Sequence, residues 1–584
     1  MPQHNANDDE LEYVDLSLPS PNQLQHPTSS THSHPRMRLV DLTVDIPSSE
    51  RRVPQEKLAP PRWRTKEFLV YYVVAAIVLP LMAYIPMRLS HPWHRNYVLY
   101  EHRLTDGWIA GRKIDNSDAQ YRSFRDNVPH LAAATLLFAV LKLTWTRLAP
   151  RRGEGDMFLI PFRLVLSLIM VFVLHGTSTF KILLILSSNY YLAKTCRGPR
   201  LGPVLTWIFN LALLFLNDYY NGYRYGEILP SLHILDSYDG LYPRWHISYN
   251  ITMLRIISYN MDLHWASTGA ESPQQVDRST PLDDRQRTRV SHPREVYGFV
   301  NYLTYILYAP LYIAGPIMTF NDFMWQHRTP IPPSRRALLS YIFRWVACML
   351  TMEVILHYMY VVAIKDARAW PGDTPAEIAM IGFWNLTIVW LKLLLPWRFF
   401  RLWALVDGID PPENMVRCMA NNYSTFGFWR SWHRSYNLWI VRYIYIPLGG
   451  SKRVLLNSLL VFSFVALWHD LTFRLLAWGW LVTLFVVPEI IGRKLLPESR
   501  FGDRPWYRHV CALGGVLNVL MMMTANLVGF VIGIDGVKYF LHQLVGSTEG
   551  LSFLAAVFAC LFVGVQLMFE YREEELRQDI VRKC

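Results

Sequence analysis

Two histidines stand where histidine is costly. His433 lies in FGFWRSWHRSYNLWIVRYIYIPLGGSKR, Phe426 to Arg453, between Trp432 and Arg434, with Trp429, Ser435, Asn437 and Trp439 close by. His469 ends an apolar run as Trp468-His469-Asp470. On a helix, Val465, Phe462 and Ser458 share the face of His469, so its ring sits among apolar neighbours. An uncharged imidazole away from water can take a proton from a hydroxyl, which makes His469 a candidate general base. His433 is a candidate to hydrogen-bond a carbonyl oxygen or to hold an acceptor. The ordinary explanations are a helix-end histidine bonded to a loop carbonyl, and an interfacial aromatic belt with snorkelling arginines. Asp470 reads as a capping or interfacial residue. Arg430, Arg434, Arg442, Lys452 and Arg453 form a cluster able to hold phosphates of a coenzyme or lipid, with ordinary loop charge as the alternative. His130, His175 and Asn189 read as structural.

The elements that must position these groups are membrane helices. The 584 residues are 52% hydrophobic and only 18% charged, below the roughly 25% of a soluble domain. Many apolar runs approach the ~20 residues that span a bilayer. Candidate spans are Phe68–Met87, then about 129–147, 157–175, 179–195, 202–217, Tyr297–Met318, 338–363, 376–396, 454–469, 474–491, 508–532 and 550–569. The fold class is therefore an all-α polytopic membrane protein of about ten to twelve membrane segments. Gly315 and Pro316 are expected to break the Tyr297–Met318 span near its end. The stretch Leu241–Trp265 carries Arg255 and Asn260 among apolar residues at helical spacing. It reads as an amphipathic or half-buried helix, partly at the interface.

Three regions follow. Residues 1–64 form a polar, disordered tail rich in Pro, Ser, Thr, His and Gln. Residues 65–570 form one membrane-embedded domain containing a polar loop over 267–295. Residues 571–584 form a charged tail. No apolar h-region follows the first methionine, so no cleavable signal peptide is expected and the first span serves as the targeting signal. Arg62, Arg64 and Lys66 before that span place the N-terminus in the cytosol by the positive-inside rule, although the following loop is also basic.

Composition also excludes several classes. The net charge of +12 comes from basic residues between apolar runs, which suits anionic lipid head groups or a phosphate-bearing substrate. No basic-aromatic repeat suggests nucleic acid. The six cysteines form no CxxC pair, so neither a disulfide framework nor a metal cluster is expected. Phosphate-loop, H-E-x-x-H and G-x-S-x-G motifs are absent. No internal repeat of the transporter kind is visible. The sequons at Asn250, Asn385 and Asn422 lie in or beside apolar sequence, where glycosylation is not expected.

FWRSWHRSYNLWIVRYIYIPLGG followed by ALWHD resembles the membrane-bound O-acyltransferase family. WHISYNITMLRIISYNMDLHW and YILYAPLYIAGPIMTFNDF look like its fungal glycerol uptake branch, related to hedgehog acyltransferase. The resemblance covers about residues 65–570. It implies a helical bundle around a tunnel crossing the membrane, a catalytic histidine at His469, and a second site residue at His433. Trp432, Arg434, Ser435, Asn437 and Tyr445 are then the expected substrate contacts. It also implies acyl-CoA as co-substrate with no permanently bound cofactor or metal. The acceptor is a lysophospholipid or the lyso form of a glycosylphosphatidylinositol anchor. The location is the endoplasmic reticulum membrane, with the plasma membrane as an alternative. Two rivals are a glycerol/proton symporter, in which the histidines relay protons, and a non-catalytic scaffold.

Overall fold

The computed structural model describes residues 59–151, 153–196, 198–270, 282–578, 580 and 582. The expected tail over 1–58, the loop stretch 271–281 and residues 579, 581, 583 and 584 lie outside the described residues. In chain order the main helices are α1 (Lys66–Leu89), α2 (Ala119–Leu148), α3 (Ile160–His175), α4 (Ser178–Thr195), α5 (Leu201–Tyr219) and α6 (Trp245–Thr268). They continue as α7 (Phe299–Leu307), α8 (Phe320–Arg328), α9 (Arg335–Tyr358), α10 (Pro375–Val406), α11 (Thr425–Trp432) and α12 (Arg434–Ile440). The last are α13 (Val454–His469), α14 (Phe473–Leu495), α15 (Tyr507–Asn526), α16 (Gly533–Val545) and α17 (Thr548–Arg577). Among the described residues, 10 helices are long and apolar enough to cross a membrane, as the hydropathy predicts. Among the described residues one small sheet pairs Leu104–Asp106 antiparallel with Lys113–Asp115 in the loop after α1.

Local sequence explains where the long helices begin. The Thr65, Asp118 and Ser334 side chains cap α1, α2 and α9 by accepting from backbone N–H groups of the first turn. The α10 start is a full capping box, Thr374 with Glu377, with Pro375 at the first helical position. α10 runs on through Pro396, which its packed neighbours make tolerable.

Two expectations are corrected. The Leu241–Trp265 stretch is not interfacial: α6 is a central pillar, with every residue from Thr252 to Leu263 buried. Its polar residues meet polar groups inside the protein: Asn260 Nδ2 donates to Thr206 Oγ1 at 3.3 Å and to Asn189 Oδ1 at 3.4 Å, while its Oδ1 has no hydrogen bond among the described residues. The Arg255 guanidinium donates to the Ile306 carbonyl at 2.9 Å and to the Leu311 carbonyl. The Asp262 carboxylate accepts from Arg442 Nη2 at 2.9 Å and from the Tyr443 hydroxyl at 2.8 Å. Nor does Tyr297–Met318 form a continuous span. α7 stops at Leu307, a short turn covers Ala309–Tyr312 around Pro310, and extended chain follows. The break therefore comes before Gly315 and Pro316. Pro310 has no N–H for the Ile306 carbonyl four residues back, which Arg255 takes instead, so the helix breaks at Tyr308 and the freed groups are buried in protein.

The described chain starts and ends on one face. The Arg62 amide donates to Glu570 Oε1 at 2.9 Å and Trp63 Nε1 to Glu574 at 3.3 Å, on the last turns of α17. The same face holds Arg417 on Glu575 and Arg508 on Gln566 and Glu573. The opposite face carries a cap in which Asn96 meets Asp373 at 2.9 Å and Trp108 Nε1 meets Glu353 at 3.0 Å. Burial pushes the Asp373 carboxyl up to about 6, with Glu377 adding to it, and one of its oxygens has no hydrogen-bond partner.

Candidate active site

His433 sits at a break, not inside a helix. Its backbone (φ −121°, ψ 65°) ends α11 and starts α12. Such a break frees backbone groups that lipid could not satisfy. The loop at Asn414–Val416 takes them: the Arg434 amide donates to the Asn414 carbonyl at 3.0 Å and the Ser435 amide to Asn414 Oδ1 at 3.2 Å. The Val416 amide reaches back to the Ser431 carbonyl. The ring is fixed from the other side by α10. The Trp397 indole stacks on it with centroids 4.2 Å apart and planes at 20°.

His469 is fixed by its neighbour. Trp468 Nε1 donates to the Asn250 carbonyl at 2.9 Å, and Asn250 Nδ2 donates back to the Trp468 carbonyl at 3.0 Å. This reciprocal pair ties the end of α13 to the pillar α6. α14 packs close along α13: a Cβ added at Gly479 would lie 2.8 Å from the Phe462 carbonyl oxygen, so only glycine permits the approach.

The two histidines meet on one cavity of about 960 Å³. That is large for a ligand site, where roughly 300–1,000 Å³ is usual. From α12 it is lined by His433, Tyr436, Asn437 and Ile440, and from α13 by Val461, Phe462, Val465 and His469. Those spacings are single helical faces. The cavity wall extends from the loop at Met419–Asn422 to α16 and the nearer half of α17, and apolar residues of α1 and α10 close it. Among the described residues no group hydrogen-bonds either imidazole, so the ordinary explanation, a loop carbonyl on His469, is not what this ring does. His469 is exposed by its contact with this space. The Tyr436 hydroxyl and Trp429 Nε1 are buried at the same wall without partners. Lys392 of α10 carries the one full charge on the wall among the described residues.

The expected substrate contacts divide by helix face. Trp432 and Asn437 line the cavity. Arg434, Ser435 and Tyr445 do not, and this corrects their expected place. Residues 434 and 435 follow His433 by one and two positions, so they turn away from its face. The Arg434 guanidinium grips Asp284 at 2.5 Å and 3.2 Å. Burial alone would raise the Asp284 carboxyl, but Arg434 outweighs it and holds it below the usual carboxylate range. Ser435 Oγ accepts from the Ile317 amide at 2.9 Å. Tyr445 closes a π-helical turn, Val441–Tyr445, beyond the cavity. The basic cluster is likewise dispersed. Arg442 joins Asp262 and the Trp265 ring, while Arg430, Lys452 and Arg453 are exposed. Trp397, Lys392 and Tyr436 are site residues that the sequence pattern did not single out.

Such a wall can hold a long apolar chain and present its end to two unbonded imidazoles. Comparison with known proteins agrees. The profile of the membrane-bound O-acyltransferase family matches residues 234–534. The membrane-bound O-acyltransferase GUP1 of Saccharomyces cerevisiae is 45% identical over 538 residues, covering 90% of this chain and 94% of the relative. The gup1 protein of Schizosaccharomyces pombe is 40% identical over 553 residues, 92% and 94% of the two chains. The protein-cysteine N-palmitoyltransferase HHAT of Mus musculus is 28% identical over 279 residues, 46% of this chain and 54% of the relative. With its fold, its histidine-lined cavity and these relatives together, the chain belongs to the membrane-bound O-acyltransferase family and is an acyltransferase.

Proposed function

We propose that this protein transfers a long fatty acyl group from acyl-CoA to the hydroxyl of a lysophospholipid, the lyso form of a glycosylphosphatidylinositol anchor being the acceptor of choice. One observation carries the reading: His433 and His469, at the ends of different helices, open on the same largely apolar cavity with ring nitrogens that no described residue hydrogen-bonds. His469 acts as general base. It takes the acceptor's proton as the hydroxyl oxygen attacks the thioester carbonyl. A C–O bond forms and the carbonyl oxygen becomes an oxyanion. His433, held by Trp397, donates a hydrogen bond to that oxyanion. Collapse breaks the C–S bond, and the thiolate leaves with the proton from His469. Asn437 and Trp432 bound the reactants. The apolar wall from α10, α15 and α17 holds the acyl chain, and burial of each methylene contributes about 0.8 kcal/mol.

The face shared by the chain's described ends is the cytosolic one in this reading. Arg62, Arg64, Lys66, Arg328, Arg335, Arg336, Lys452 and Arg453 stand at that side, as the positive-inside rule requires. Acyl-CoA arrives there and the lipid acceptor arrives from the bilayer. Residues 65–570 act as one membrane domain, in the endoplasmic reticulum.

The test uses purified protein in lipid nanodiscs with radiolabelled palmitoyl-CoA and lysophosphatidylinositol. Wild type forms the diacyl lipid and His469→Ala does not, while both elute as folded protein. Equal acylation by the two proteins would remove His469 from the mechanism. Proton-coupled glycerol uptake by proteoliposomes lacking acyl-CoA would favour a transporter instead.

A further inference from the structure

Lys392 is out of place on physical grounds. It lies near the middle of the 32-residue α10, in the apolar sequence WLKLLLPW. An intramembrane charge is by default a functional group with a partner. Its partner is Asp118, with Nζ 2.7 Å from Oδ2. Asp118 is already in use: it caps α2 by accepting from the Tyr121 amide at 2.9 Å. A helix cap needs no lysine, because asparagine caps as well as aspartate. Both side chains are largely but not fully shielded, at 19% and 14% exposure. Lys392 lines the cavity beside Gln120 of the first turn of α2. Its ammonium, that amide and the positive end of α2 therefore stand at one part of an otherwise apolar wall.

The place of this charge relative to the histidines limits what it can serve. Lys392 precedes Trp397, the stacking partner of His433, by five residues on the same helix, a rise of about 7.5 Å. The lysine stem leaves the helix about 140° around from Trp397, and its Nζ ends on Asp118 at the first turn of α2, on the side of the Trp108–Glu353 cap. In a 1-acyl-lysoglycerophospholipid the free hydroxyl and the phosphate hang on adjacent glycerol carbons. An acceptor whose hydroxyl reaches the histidines must carry its phosphate a few ångströms away. Coenzyme A carries its phosphates at the far end of the pantetheine arm, many bonds from the thioester. The charge stands on the side away from the face by which acyl-CoA enters in this reading, which places it for the acceptor, not the donor.

We infer that Lys392, with Gln120 beside it, binds the head-group phosphate of a lysoglycerophospholipid acceptor and so selects phosphate-bearing acceptors over neutral monoacylglycerols. Asp118 neutralises the lysine before acceptor binding and is displaced from it, or shares it, when the phosphate arrives. This rests on the acyl-transfer reading above, and it adds the residue that recognises the acceptor's phosphate.

The experiment compares wild type, Lys392→Met, Lys392→Arg and Asp118→Asn in nanodiscs. The acceptors are 1-acyl-lysophosphatidylinositol and 1-monoacylglycerol, with palmitoyl-CoA as donor. A charge-assisted hydrogen bond lost to a phosphate is worth about ten- to hundredfold. Lys392→Met is expected to lower the ratio of kcat/KM for lysophosphatidylinositol over monoacylglycerol by about that factor, through acceptor KM more than kcat. Lys392→Arg restores much of the ratio, and Asp118→Asn lowers the KM for the phosphate-bearing acceptor. An unchanged ratio in folded Lys392→Met overturns the inference and leaves acyl transfer intact. A change in palmitoyl-CoA KM with acceptor KM untouched also overturns it. Lysophosphatidylinositol binding to His469→Ala and His469→Ala/Lys392→Met, read by tryptophan fluorescence, separates the two proposals. Tenfold weaker binding in the double variant supports the phosphate site even where no acceptor is acylated, and equal binding rejects it.

Discussion

Trp397 lies flat on the imidazole of His433, with 4.2 Å between ring centres and 20° between planes. The stack holds a ring that no described residue hydrogen-bonds, so Trp397 is a positioning residue. His433→Ala is expected to lower kcat by about 10²–10³-fold, the range for one lost oxyanion donor. Trp397→Ala keeps the imidazole but frees it, and kcat should fall while the conservative Trp397→Phe recovers most of it. Single-turnover rates with saturating palmitoyl-CoA read both effects. A Trp397→Ala enzyme with full kcat would show that His433 needs no stacking partner.

His469→Ala is expected to cost at least about a hundredfold in acyl transfer, the usual scale of a general base. The reciprocal bonds between Asn250 and Trp468 offer a separate handle on the same ring. Asn250→Ala leaves the Trp468 carbonyl without its side-chain donor and loosens the end of α13. It should lower kcat without moving the acceptor KM, measured alongside the thermal stability of the detergent-solubilised protein.

Arg434 pairs with Asp284 in a buried place away from the cavity. Breaking such a pair from one side leaves an uncompensated charge and costs about 3–5 kcal/mol. Asp284→Ala should therefore express poorly or melt early. Arg434→Met with Asp284→Leu removes both charges together and should recover folded protein with acyl transfer. Failure of that double variant to act on substrate, while folded, would return Arg434 to the list of substrate contacts.

Asp373 in the cap opposite the termini gives a pH signature. Its carboxyl is pushed up to about 6 by burial, so folding favours its protonated form. The sign follows: that contribution is fully present below the ordinary aspartate range near 4 and is lost as pH rises through about 6. The apparent melting temperature of wild type should therefore decline across that window. Asp373→Asn, neutral at every pH, should lie flatter and melt higher at pH 7.5. Parallel curves for the two proteins would mean that Asp373 ionises freely.

Ala379 faces the cavity from the rigid α10. Filling that wall with Ala379→Phe shortens the space for an acyl chain. Donor preference should move from palmitoyl-CoA toward shorter acyl-CoA, seen as crossing kcat/KM values across a chain-length series. An unchanged preference would place the acyl chain along another wall.

The sequence by itself determined the class of this protein. Apolar runs of spanning length leave few alternatives in lipid, because every backbone group must be bonded within a helix. It also marked both histidines, since their neighbours gave an unusual local pattern, and it carried the family likeness. Lys392 was equally legible as a lone charge in an apolar run, but nothing local said that it faced a cavity. Tertiary structure alone decided which residues share the site. Whether Arg434 meets substrate or Asp284 depends on the break at His433, which turns one helix face inward and the next outward. That break is stable only because Asn414, a residue of a separate loop, supplies the missing hydrogen bonds. The same holds for α6: its arginine reads as an interfacial residue until the Ile306 and Leu311 carbonyls are seen to receive it. Spacing along the chain shows which side chains share a face, and long-range packing decides what that face meets.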